Sequence, residues 1–190
     1  MLDSLVGRWR DRFGLAMLCL ACAACTQAVP ADAAPLVAAN MPAEPPGLLL
    51  PVQGIAARDL RDTFDDGRDG NQRGHEAIDI LAPRGTPVLA VADGPIVKLF
   101  LSKPGGITVY QFDATGQLAY YYAHLDRYAD GLAEGQIVRR GSVVGYVGST
   151  GNASPDAPHL HFAIFRLGPE KQWWKGEPIN PFGYLGGKQP

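Results

Sequence analysis

From residue 48 onward, apolar positions fall in short runs of strand length, at 86–91, 96–101, 107–112, 118–123, 142–147 and 159–165. β-Branched and aromatic residues are frequent in them. Turn formers separate them, as in Asp93-Gly94, Pro104-Gly105-Gly106 and Gly148-Ser149-Thr150-Gly151. Side chains suited to a pleated, half-buried surface, punctuated by residues that accept tight turns, predict strands rather than helices. The expected fold is all-β: a compact antiparallel sheet, barrel- or sandwich-like, over residues 48–190.

The first 47 residues follow a different pattern. Arg8, Arg10 and Arg12 precede an apolar run from Phe13 to Ala24, and a positive segment followed by such a run predicts a signal peptide over 1–25. The run is too short to span a bilayer as a mature helix. Ala23-Ala24-Cys25 resembles a lipobox, although Cys22 stands where leucine is usual. Cys25 is therefore the candidate lipidation site, with cleavage near Ala31-Asp32-Ala33 as the alternative. Residues 26–47 are rich in Ala and Pro and lack periodicity; such a segment buries too little apolar surface to fold and reads as a tether. The layout implies export to the periplasm, with membrane anchoring through a lipid if Cys25 is acylated.

Cysteine usage sharpens this division. Cys19, Cys22 and Cys25 are the only cysteines, so residues 48–190 contain neither a disulfide nor a thiolate metal site. A lone Cys25 in an oxidising compartment would be a liability without a lipid cap. At 190 residues the chain has room for one well-buried domain. Its 17 basic and 19 acidic residues give a net charge of −2, which leaves no cationic footprint for nucleic acid.

The four histidines sit in three short motifs: His75-Glu76-Ala77-Ile78-Asp79, Ala123-His124-Leu125 and Pro158-His159-Leu160-His161. Imidazole and carboxylate are natural zinc ligands, and catalytic zinc takes three protein ligands with one position left open. The cluster therefore points to a zinc hydrolase. His75 and Asp79, four apart, would share a face of a helix, and Glu76 invites comparison with H-E-x-x-H peptidases. Gly74 before the motif and Ala82-Pro83-Arg84-Gly85 after it leave no room for that helix. On a straight strand the pair would stand roughly 13 Å apart, too far to share an ion. The workable geometry puts His75 on a loop or bulge at a strand entrance and Asp79 within the strand. His159 and His161, two apart, face the same side of a strand, so one can ligate while the other stands beside the ion. His124 closes a predicted strand and supplies a second helper.

These residues make the chain similar to the lysostaphin-type, or LytM-like, zinc metallopeptidases. The resemblance covers about residues 50–186. It rests on His75-x-x-x-Asp79 and His159-x-His161, flanked by Ala82-Pro83-Arg84-Gly85-Thr86-Pro87-Val88, Gly148-Ser149-Thr150-Gly151-Asn152 and Asn180-Pro181. It implies that His75, Asp79 and His161 bind Zn2+ and that His124 and His159 are the catalytic pair. It also implies a metal in an open groove and hydrolysis of peptide cross-links of bacterial peptidoglycan by a metal-activated water. Ala77 stands where the family usually has glycine, and residues 63–74 lack the tyrosine that some members use to steady the oxyanion. Arg68 and Arg73 are the candidates to replace it. The alternative from another class is a noncatalytic LytM-like regulator that activates cell-wall amidases; such relatives have lost zinc ligands, whereas this chain keeps all five residues.

Other residues carry two readings each. Trp173-Trp174 could line a glycan groove or close over the core. Tyr120, Tyr121 and Tyr122 should split between the two faces of a strand. Asp126 and Glu76 are either acceptors for ligand histidines or solvated charges, with Glu76 favoured as solvated. Ser149, Thr150 and Asn152 are expected to serve turn geometry.

Overall fold

The structure, a computed structural model, describes residues 47–68 and 73–186. The signal peptide over 1–25 with Cys25, the tether up to residue 46, and the side chains of Arg68 and Arg73 lie outside the described residues. No helix among the described residues is long and apolar enough to cross a membrane.

Alternating and β-branched runs form the strands they predict, in an all-β, antiparallel fold. β1 (Gly67–Arg68) and β2 (Arg73–Gly74) make a small separate hairpin. The remaining strands are β3 (Ile78–Leu81), β4 (Pro87–Leu89), β5 (Gly94–Ser102), β6 (Gly106–Phe112), β7 (Leu118–Tyr128), β8 (Ile137–Val138), β9 (Val143–Val147), β10 (His159–Leu167) and β11 (Gly176–Ile179). Their main order is β11-β10-β7-β6-β5-β8, and β3 pairs with β10 while β9 bridges β7 and β4. Two short 3-10 turns, Ala57–Asp59 and Gly183–Leu185, complete the described structure.

Strand β7 explains much of the shape. Its first half pairs with β10 and β6, and its second half with β9, so one strand serves both parts of the sheet. The change occurs at a bulge: Tyr122 faces Val109 and Leu125 faces Ile107, leaving Ala123 and His124 opposite Thr108. His124 adopts a left-handed φ of 60° there, the local geometry by which a bulge re-aims a side chain. The strand thus continues four residues beyond His124, which sits inside it and not at the end that the apolar run marks.

The core packs Val52, Ile78, Val88, Ile96, Val109, Leu125, Leu160 and Phe162 from most of these strands. Burying a large apolar side chain contributes about 1.5–3 kcal/mol. Two polar residues join this interior because their partners are built in. Tyr122 donates to Gln111 Oε1 at 2.8 Å and accepts from the Val91 amide at 3.0 Å, while Gln111 Nε2 donates to the Ala92 carbonyl at 2.7 Å. Burial pushes the Tyr122 phenol well above its ordinary range, which keeps it protonated as the donor.

The loops before β6 and after β9 touch backbone to backbone. A methyl group on Gly106 would overlap Thr150 Oγ1 and the Thr150 carbonyl carbon, and one on Gly151 would overlap Gly106 N and Pro104 O. Both glycines have positive φ, 65° and 77°. Gly106→Ala is expected to lower the melting temperature by roughly 5–10 °C. Gly168→Ala, where an added methyl meets nothing within 4 Å, should change it by no more than about 1–2 °C. Calorimetry of the two variants beside the parent checks this.

Candidate active site

The site is assembled across β3, β10 and β7. In register, Asp79 of β3 faces His161 of β10, and His161 faces Ala123 of β7, one residue before His124. His75 lies on the approach to β3, where Glu76 takes a left-handed φ of 56°. That kink folds His75 back beside Asp79, as the loop-then-strand geometry requires.

His75 Nε2 lies 3.0 Å from Asp79 Oδ1 and 3.0 Å from His161 Nδ1, and His161 Nδ1 lies 3.1 Å from Asp79 Oδ1. Three donor atoms from two imidazoles and one carboxylate therefore form a nearly equilateral triangle. Ligands each about 2.0–2.2 Å from one tetrahedral ion would be spaced only slightly wider. His75 Nδ1 lies 2.8 Å from the Thr63 carbonyl; donation there leaves Nε2 with a lone pair for a metal. The donor set fits a divalent ion such as zinc. Burial alone would push the Asp79 carboxyl up, but hydrogen bonds and positive charge from His161 and His75 outweigh it and hold the group well below the usual carboxylate range. Asp79 is an anion, as ligation requires.

His124 and His159 stand beside this triangle. The His124 ring lies 4.9 Å from the His159 ring and 5.5 Å from the His161 ring, centroid to centroid. His124 Nδ1 is 2.8 Å from the Thr150 carbonyl and His159 Nδ1 is 2.8 Å from the Ala157 carbonyl. Donation from Nδ1 to Thr150 leaves Nε2 of a neutral His124 as a lone pair, and His159, held through Nδ1 on Ala157, sets its Nε2 3.7 Å from Asp79 Oδ1. Burial pushes the His124 imidazole down to about 4, and the nearby His161 and His159 add to that effect against the opposing Thr150 hydrogen bond. His124 is neutral at neutral pH. All five residues line one groove of about 470 Å³, together with Gly105, Tyr121, Asn152 and Ser154.

Several secondary expectations resolve here. Tyr120 and Tyr122 point into the core while Tyr121 lines the groove. Glu76 is exposed. Asp126 accepts from Arg84 at 2.8 Å, and Arg84 also donates to Ser149, so this cluster braces neighbouring loops. Thr150 does more than shape a turn: its carbonyl anchors His124, and its hydroxyl donates to the Leu125 carbonyl at 2.7 Å and accepts from the Ile107 amide at 2.9 Å.

Thr63 is the residue that motif reading misses. Its carbonyl anchors His75, and its hydroxyl accepts from the Asp79 amide at 3.1 Å. One residue upstream of the motif thus orients two of the three metal donors. Only the folded contact reveals it, because nothing in the spacing of a threonine twelve residues before a histidine marks it.

A donor set of two histidines and one carboxylate, open to a groove with two further imidazoles beside it, is that of the metallohydrolases. Residues 73–181 match peptidase family M23, and the chain belongs to that family. It is 34% identical over 131 residues to the L-Ala--D-Glu endopeptidase of Bacillus subtilis, a match covering 66% of this chain and 39% of that protein. It is 42% identical over 109 residues to the DD-carboxypeptidase/endopeptidase Mpg of Neisseria meningitidis, covering 56% of this chain and 22% of that protein. The chain therefore spans well under half the length of either. Among solved structures, the catalytic domain of lysostaphin from Staphylococcus simulans superposes with a TM-score of 0.55 at 26% identity, covering 68% of this chain and 95% of that domain. Csd3 of Helicobacter pylori superposes with a TM-score of 0.56 at 30% identity, covering 73% and 34%. The lysostaphin-type resemblance of the motifs is thereby matched in both family and fold.

Two measurements test this geometry. Thr63→Val removes the hydroxyl that holds the Asp79 amide and should weaken metal affinity by about 10–100-fold, whereas Thr63→Ser should keep most of it; competition with a chromophoric chelator reads both. In metal-free protein, His124 binds fewer protons when folded than when unfolded. Its contribution to stability is present above about 6.5 and is lost as pH falls toward about 4. Urea midpoints should fall over that window in the parent, and fall less in His124→Asn.

Proposed function

We propose that this chain is a zinc-dependent endopeptidase that hydrolyses peptide cross-links in bacterial peptidoglycan. The observation that carries the proposal is the convergence of His75, Asp79 and His161 on one point, with Nε2 of His159 3.7 Å from Asp79 and the His124 ring beside it. Family membership and relatives named as endopeptidases support the reaction class. The alternative, a noncatalytic regulator that activates cell-wall amidases, is expected to have lost zinc ligands, and the five residues kept here support the catalytic reading.

His75 through Nε2, Asp79 through a carboxylate oxygen and His161 through Nδ1 are the residues that would hold zinc. When bound, zinc supplies a Lewis acid that polarises the scissile carbonyl and makes water easier to deprotonate. The protein's own residues handle the protons. His124 enters the reaction neutral, its Nδ1–H fixed on Thr150, and its Nε2 takes a proton from the attacking water. The proton taken up by His124 passes to the leaving amine, while His159, likewise fixed through Nδ1 on Ala157, faces the developing oxyanion with an Nε2 proton drawn from solvent. No side chain is required as a covalent nucleophile.

The setting proposed for this chemistry is the periplasm. The signal peptide, the tether and a lipid on Cys25 would place the domain at arm's length from a membrane, facing the wall. A near-neutral domain of this layout suits direct cross-links between D-alanine and a diamino acid. Mass spectrometry of material released from purified sacculi by the zinc-loaded protein tests the reading. Expected are new peptide termini at the cross-link, abolished by a zinc chelator and by His161→Ala. Absence of release from a folded, zinc-loaded protein would overturn it.

A further inference from the structure

The catalytic groove leaves one conspicuous part of the surface unexplained: the tryptophan pair on the loop between β10 and β11. A row of aromatic contacts joins it to the site. His161 meets Tyr121 at 5.9 Å between ring centroids, Tyr121 meets Tyr110 at 4.6 Å, Tyr110 meets Trp173 at 4.8 Å, and Trp173 meets both Trp174 at 5.2 Å and Phe100 at 5.4 Å. The inner members are partly buried, but Trp174 is 61% exposed and Phe100 39% exposed. The pair therefore does not close over the core. Tyr110 and Tyr121 occupy paired positions on β6 and β7, with Tyr121 on the groove wall. The exposed rings form the outer end of a surface that begins at a metal ligand.

The loop itself is not packed flat on the sheet. A cavity of about 440 Å³ lies against it, lined among others by Lys171, Lys175 and Glu170 and by the Arg166–Glu177 ion pair at 3.2 Å. Lys171 holds a left-handed φ of 47°, a conformation unfavourable for a non-glycine residue. This loop presents the Trp174 indole to solvent and also carries Lys171 and Lys175. An occupant should offer a flat apolar ring face together with acidic groups.

We infer that Trp174, backed by Trp173 and flanked by Phe100, is a stacking platform for a sugar ring of the glycan strand whose attached peptide lies in the catalytic groove. The identity of the occupant rests on the peptidoglycan reading above. Hexosamine rings carry a C–H face that packs on an indole while their hydroxyl and amide edges stay wet, the division of apolar body and polar rim that exposed aromatic platforms serve. The stems attached to such a strand carry carboxylates, which complement Lys171 and Lys175. Continuity with the groove sets the direction: the strand runs along β7, β6 and the edge of β5, while the cross-link sits at His161.

The test uses glycan strands stripped of their peptides by an amidase, so that binding is read without any peptide hydrolysis and independently of the peptidase reading. Tryptophan fluorescence and calorimetry with the full-length, zinc-loaded protein should show saturable binding. Trp174→Ala should weaken it about tenfold, the effect of one lost aromatic stack, and Trp174→Phe should recover most of the loss. Unchanged melting temperature and metal content establish that the variants are folded. Failure of the parent to bind the stripped strands, equal binding by Trp174→Ala, or loss of binding in Trp174→Phe as complete as in Trp174→Ala would each overturn the inference. So would binding to anionic phospholipid vesicles but not to glycan, which would make the platform a membrane contact.

Discussion

The register of β10 between β3 and β7 is the constraint on which the site depends. Asp79, His161 and Ala123 lie in one cross-strand row, and that row sets two candidate metal donors side by side and places His124 next to them. Side chains alternate between faces with period two, so a slip of one residue in either pairing would turn a donor into the core. The apolar neighbours prevent it: Ile78, Ile80, Leu160 and Phe162 are buried on the opposite phase of the same strands. Packing of the core is therefore what holds the ligands in line, although no ligand belongs to the core.

Two departures from ideal strand geometry complete the arrangement. Glu76 and His124 have left-handed backbones, and each flanks or belongs to the site. Such conformations persist where surrounding contacts over-determine them. The Glu76 amide donates to the Phe64 carbonyl at 2.9 Å, and the His124 amide donates to the Gly105 carbonyl at 2.9 Å. Both anchors come from loops outside the strands. The regular sheet supplies alignment; the irregular loops supply aim.

Much of this was legible in the sequence. The apolar runs at 96–101, 107–112 and 159–165 lie within β5, β6 and β10, and the five site residues stand out as the whole histidine complement plus one aspartate. The requirement that His75 leave the strand followed from spacing alone. What stayed hidden has physical reasons. β11 contains glycine, glutamate and proline, so it carries no hydrophobic pattern and is specified by its partner β10, whereas β3, the strand expected around Asp79, is only four residues long, too short for its bounds to be read from alternation. The extension of β7 past His124 was masked by a bulge that interrupts alternation. Thr63 was invisible because a backbone carbonyl and a hydroxyl reach the site through tertiary contact, a relation that no local motif encodes.

The separation of the donors along the chain has a further consequence. His75 and His161 are 86 positions apart, and their pairing needs β3 to find β10 after more than half the domain has intervened. Contacts of such long range form slowly and incur loop-closure entropy before they are rewarded. An unfolded chain keeps His161 far from His75 and Asp79 and has no preformed cradle, so binding of the proposed ion and consolidation of the sheet would become one thermodynamic event. On the proposed function, a nascent or unfolded chain would be inert toward peptide bonds, and the site would be completed only when β3 and β10 lock into register.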